Sequence, residues 1–197
     1  MGEFTGQAVY RMWFDDSIKA PIPQEAGHVA QVPGPYGPPD GPNAHIKFYG
    51  HGFDPNMPVP VFKYNAGTQR PPKNCGMGLW GTTWRVSPQV KAVFERIDPR
   101  AVTFHPAKLR AVHKREVVSE TAAFVMDIVR FCAGLPPGQD VYACQPHGQF
   151  DGGAIGEARV FRLTHSPFDE MCTQEAFEAL QASGVELRFQ LAGKIHG

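Results

Sequence analysis

The chain has 197 residues, 42% of them apolar, with nineteen basic and nineteen acidic side chains. That length suits one domain with a sizeable core. The balanced charge offers no basic excess for a phosphate backbone or an anionic membrane, so neither nucleic acid nor membrane is an expected partner. No run nears the ~18–20 apolar residues of a membrane span. MGEFTGQAVYRMWFDD has neither a basic n-region nor an apolar h-region, and Gly6 stands where myristoylation wants Ser or Thr, so the chain reads as cytoplasmic. Cys75, Cys132, Cys144 and Cys172 are widely spaced and read as free thiols.

Residues 1–83 hold 12 of the 19 prolines and 12 of the 21 glycines. This part is expected to be irregular and to belong to the same domain as a helix–strand core over 84–197. Val32–Asn43 (VPGPYGPPDGPN) excludes helix and central strand, because proline removes donors and glycine favours turns. It reads as a long surface arm carrying Tyr36 and Asp40. Short strands are predicted at Val9–Phe14, His45–Gly50 and Val59–Tyr64, where aromatic and β-branched residues concentrate.

Ser87 and Pro88 predict a helix start, a cap followed by proline at the first helical position. Val90, Val93, Phe94 and Ile97 then form one apolar stripe, and Asp98-Pro99 ends it. Ala101–Phe104 reads as a strand stopped by His105-Pro106. KLRAVHKR, with Lys108, Arg110, Lys114 and Arg115 around His113, reads as a solvated connection to a second helix. That helix is expected near Ser119, with Phe124, Val125, Ile128, Phe131 and Cys132 on one face and Gly134 closing it. Ala158–Leu163 is a predicted strand. Thr173 caps a third helix with Ala176, Phe177 and Leu180 inward and Gly184 past its end. Val185–Leu191 alternates as a closing strand.

Two stretches match. In VSPQVKAVFERIDPRAVTF and CTQEAFEALQASGVELRF, Ser87 corresponds to Thr173, Val90 to Ala176, Phe94 to Leu180 and, after a one-residue slip, Phe104 to Phe189. The expected fold is α+β: a mixed or mostly antiparallel sheet, about three main helices, and two similar helix–strand units packing into that one sheet.

Catalytic templates such as GxSxG, HExxH, the P-loop and GxGxxG are absent from the sequence. His45 with His51, and Cys144 with His147, fall short of a zinc ligand set, so no metal and no cofactor is expected. The one enzyme-like arrangement is CQPHGQFDGG, in which Cys144 could serve as nucleophile, His147 as base and Asp151 as orienter. Its proline and glycines also read as a plain turn.

The sequence WRVSPQVKAVFERIDPRAVTFHPAKL, then FVMDIVRFCAGL, a VFRL strand and the ending GVELRFQLAG resembles immunity protein family 11 of bacterial polymorphic toxin systems. The likeness spans about residues 45–192. The matching positions Trp84, Ser87, Phe161, Arg162 and Phe189 are cap, core and strand positions. Met171-Cys172-Thr173 departs from the family's VS-like pair, and Val32–Asn43 has no counterpart in it. The resemblance implies a non-enzymatic binding protein that occludes the active site of a cognate toxin domain, 1:1, in the cytoplasm. Exposed loops are the expected contacts: Tyr36 and Asp40 on the arm, and Asp140, His147 and Asp151 on the second loop. Acidic groups there would complement a basic toxin cleft.

Overall fold

In a computed structural model, the structure describes residues 6–14, 22–23, 50, 52–53, 58–78, 83–135 and 145–196. Among the described residues, twelve strands and three helices follow in chain order: β1 Ala8–Phe14, β2 Ile22–Pro23, β3 Val61–Asn65, β4 Cys75–Met77, β5 Trp84–Val86, α1 Pro88–Ile97, β6 Val102–His113, β7 Glu116–Ile128, β8 Phe131–Cys132, β9 Gly148–Asp151, α2 Gly152–Ile155, β10 Val160–Leu163, β11 Ser166–Thr173, α3 Gln174–Ala182 and β12 Leu187–His196. The class is α+β, but the strands form two mixed sheets rather than one, ordered β8-β10-β11-β1-β12-β9 and β2-β3-β6-β7-β5-β4. The predicted strand at His45–Gly50 lies outside the described residues, apart from Gly50.

The helix at α1 forms where its stripe requires it. Ser87 Oγ accepts from the Val90 amide at 3.3 Å, and Val90, Val93, Phe94 and Ile97 are buried. α3 starts at the predicted place, and Gly184 takes a left-handed φ of +67° just beyond it. Thr173 holds the cap position without a side-chain cap bond.

The expected second helix is a strand. Residues from Glu116 to Ile128 form β7, which pairs antiparallel with the whole of β6, from Val102↔Ile128 to His113↔Glu116. Val125, Met126, Asp127 and Ile128 are all buried. A strand end covered on both faces loses the period-2 signature, and its apolar residues then mimic a helical stripe. β6 also runs on through His105-Pro106. Pro106 lies opposite Phe124, before β3 begins to pair at Val61↔Lys108, so its missing N–H breaks no ladder with β3.

The two helix–strand units fall one in each sheet, with a similar strand order around each helix. In one, β4 and β5 pair antiparallel, α1 crosses from β5 to β6, β3 runs parallel beside β6, and β7 lies between β5 and β6. In the other, β10 and β11 pair antiparallel, α3 crosses from β11 to β12, β9 runs parallel beside β12, and β1 lies between β11 and β12. The central strand is antiparallel to both neighbours each time. It is the next strand of the chain in the first copy and comes from the N-terminal side in the second.

The helices face each other across the main core. α1 and α3 contribute Val90, Phe94, Ala176 and Leu180, and the sheets contribute Met12, Trp84, Val86, Met126 and Val160. The Trp84 ring meets Phe94 and Phe14 edge-on, with centroids 5.9 and 6.0 Å away. Full burial of each such side chain stabilises by ~1.5–3 kcal/mol. The outer faces carry smaller cores, Phe161, Met171 and Phe150 on one sheet and Phe62 and Val125 on the other.

Candidate interaction surface

Three of the expected contact residues, Tyr36, Asp40 and Asp140, lie outside the described residues, as does Cys144. His147 is exposed just ahead of β9. Asp151 ends β9 and caps α2, its Oδ1 accepting from the Gly153 amide at 2.8 Å and the Ala154 amide at 3.3 Å. Among the described residues no hydrogen bond or ion pair joins it to His147. Cys75, Cys132 and Cys172 are buried. Burial pushes the Cys132 and Cys172 thiols up, the opposite of an activated nucleophile. Among the described residues no group of three or more His, Cys, Asp or Glu is placed to hold a metal ion.

The most concentrated chemistry inside the protein is ionic. Arg162 on β10 is fully buried. Its guanidinium donates to the carbonyls of Ile128 (2.9 Å) and Pro167 (2.7 Å) and pairs with Asp127 (3.3 Å) and Glu170 (3.0 Å). Asp127 belongs to β7, so the pair ties one sheet to the other. Trp84 Nε1 makes a second tie, donating to Glu170 at 3.1 Å. The other Asp127 contacts hold a loop, since its oxygens accept the amides of Gly50 (3.2 Å) and Gly52 (2.9 Å), both at positive φ. Burial pushes both carboxyls up, and Arg162 partly pulls them back. The cluster holds the two sheets together. Sequence reading placed Arg162 on a strand but put Asp127 on a helix, and the two are 35 residues apart in the chain.

The exposed chemistry lies where β6 and β7 run on beyond the helices. One side of this arm is covered: β3 pairs with Lys108–Val112 of β6, and β2 pairs with β3 in turn. On the far side, β5 pairs only with Phe124–Met126 of β7. Among the described residues, Glu116–Ala123 therefore has no neighbouring strand on that side. Its first seven residues are all exposed, with Val117 at 53% and Val118 at 56%. A bulge sits here, as Ala111 pairs with Ser119 and Val112 with Val117, leaving Val118 over.

Lys114 and Arg115 join the two strands, with φ of +49° and +73°. A two-residue hairpin turn of type I′ needs positive φ at both positions, which is why Asn-Gly dominates there. Two long cationic side chains in that geometry are uncommon. Glu120 bonds to both Lys108 (2.8 Å) and Arg110, which hold its carboxyl below the usual range. The arm thus carries Lys108, Arg110, Lys114 and Arg115 against Glu116 and Glu120, a surplus of two positive charges. The basic run was visible in the sequence. The open edge beside it was not, because it depends on where β5 stops.

No family model and no curated protein matches the chain.

Proposed function

We propose that the chain is an immunity protein, which binds a cognate toxin domain 1:1 in the cytoplasm and neutralises it by covering its active site. The observation that carries this reading is the arm: an exposed strand edge with bare valines beside a cationic turn, features that favour protein contact over solvation. The resemblance of Trp84–Leu109 and the closing strand to an immunity family supports the same reading. His147 and Asp151, on the edge strand of the other sheet or next to it, offer a second exposed patch.

Co-expression with the toxin domain encoded beside it should rescue growth and give a 1:1 complex by light scattering. Unrelieved toxicity with no complex would remove the reading. Cys144→Ala should protect as well as the wild type. Loss of protection in that variant, with the fold intact, would favour an enzyme acting through that loop.

A further inference from the structure

We propose that the open edge of β7, from Glu116 to Ala123, receives an extended segment of the partner as an added strand, with a carboxylate of that segment seated against Lys114 and Arg115. The identity of the partner rests on the immunity reading, but the edge itself does not.

Three observations converge. An exposed strand offers unpaired N–H and C=O groups to any extended chain, and proteins normally blunt such an edge with charged side chains (lysine above all), proline, a bulge or a covering element; here Glu116, Glu120 and the bulge blunt it only in part. On the other side β6 is paired by β3, and the short β2, which contains a proline, pairs with Phe62 and Lys63 at that edge of the sheet. The stretch EVVSETAA contains neither lysine nor proline and exposes both valines, and only the bulge at Val118 interrupts it.

The turn supplies the second argument. Left-handed backbone at two successive residues favours glycine and asparagine, yet the chain places a lysine and an arginine there. Neither Lys114 nor Arg115 has an ion-pair partner among the described residues. Two unpaired cations at the end of an open edge call for an anion on whatever pairs with it.

Charge also selects the occupant. A second copy pairing antiparallel about Ser119 would set Lys114 opposite Phe124 and Arg115 opposite Ala123, which carry no carboxylate. One pairing about Val117 would set Lys114 opposite Glu120, whose carboxylate Lys108 and Arg110 already hold. A partner strand running antiparallel to β7 instead brings its C-terminal end to the turn, where an Asp or Glu meets both cations.

The test uses a fluorescein-labelled synthetic strand of alternating valine and threonine ending in two aspartates, read by fluorescence anisotropy on the full chain. One control peptide ends in two lysines, and another is N-methylated at alternate amides. The acidic peptide is expected to bind about tenfold or more tightly than the lysine peptide, the factor that ~1.4 kcal/mol provides. N-methylation should abolish binding, and the peptide should slow amide exchange across residues 116–122. The double substitution Lys114→Asn, Arg115→Gly retains the turn, since Asn-Gly suits it, and should lose that tenfold preference. Equal binding of the acidic and lysine peptides, or indifference to N-methylation, overturns the proposal. So does a concentration-dependent dimer that Val117→Glu, Val118→Glu dissolves, because the occupant is then a second copy. A chain that takes the peptide at β7 but protects against no toxin keeps the edge and loses the immunity reading. A chain that protects equally well with the turn charges removed keeps that reading and loses the edge.

Discussion

Replacing Arg162 with methionine should separate the two sheets energetically. The guanidinium is fully buried and serves four acceptors: two carbonyls, at 2.7 and 2.9 Å, and the carboxylates of Asp127 and Glu170. Methionine fills a similar volume but donates nothing, so two carboxylates are left in the interior without their cation. Breaking a buried pair in this way costs about 3–5 kcal/mol. A domain holds only ~5–15 kcal/mol in all, and for this length the loss lowers the melting temperature by roughly 10 °C. The penalty should also depend on pH. Burial raises the folded values of Asp127 and Glu170 above 3.8 and 4.5, and removing Arg162 withdraws the charge that restrains them. The folded variant then binds more protons than the unfolded chain, so its stability is fullest below those values and falls as pH rises through the raised ones. Urea denaturation followed by circular dichroism at pH 5 and pH 8 measures both effects. A penalty under ~1 kcal/mol, or one equal at the two pH values, would refute the assignment of Arg162 as the shared cation of two buried carboxyls.

Replacing Lys114-Arg115 with Asn-Gly should raise stability by about 0.5–2 kcal/mol, because it relieves left-handed backbone at two residues. Urea midpoints check this, and a loss of stability would mean that the cations hold the hairpin. Ser87→Ala should cost ~1 kcal/mol through the lost cap bond to Val90. Thr173→Val should be neutral or stabilising, since the Thr173 hydroxyl is buried without a partner, so equal losses at the two sites in thermal melts would contradict the difference in capping. Gly193→Ala should unpair β9 from β12. Its Cβ would stand 1.9 Å from the Gly148 carbonyl oxygen, a contact that backbone alone must relieve, and amide exchange across β9 should rise sharply.

The legible parts of the fold are those with short-range causes. Ser87, Pro88 and the Val90–Ile97 stripe specify α1 within three turns, and the structure adds little to them. The repeat was legible as two capped helices followed by strands, but a shared pattern does not say whether two units join one sheet or found two. The residues after Ser119 misled because Phe124, Val125 and Ile128 suit a helical face as well as a strand end buried on both sides. The arm was half legible. Its basic residues stood out, yet the turn at Lys114-Arg115 lacks the Asn-Gly signature, so the hairpin it closes looked like a connection.

The chain's own order of residues determined the Ser87 cap and the two helical stripes, because each is settled by neighbours within a turn or two; the closing strand begins two residues later than its alternation suggests and runs on to His196. Only the tertiary structure decided which sheet each strand joins, that Arg162 meets Asp127 and Glu170, and that β7 outruns β5, leaving Glu116–Ala123 without a neighbouring strand on that side among the described residues. Those outcomes depend on strand register between segments far apart in the chain. Register is chosen by the burial of both sheets against α1 and α3 together, a condition that no single segment carries.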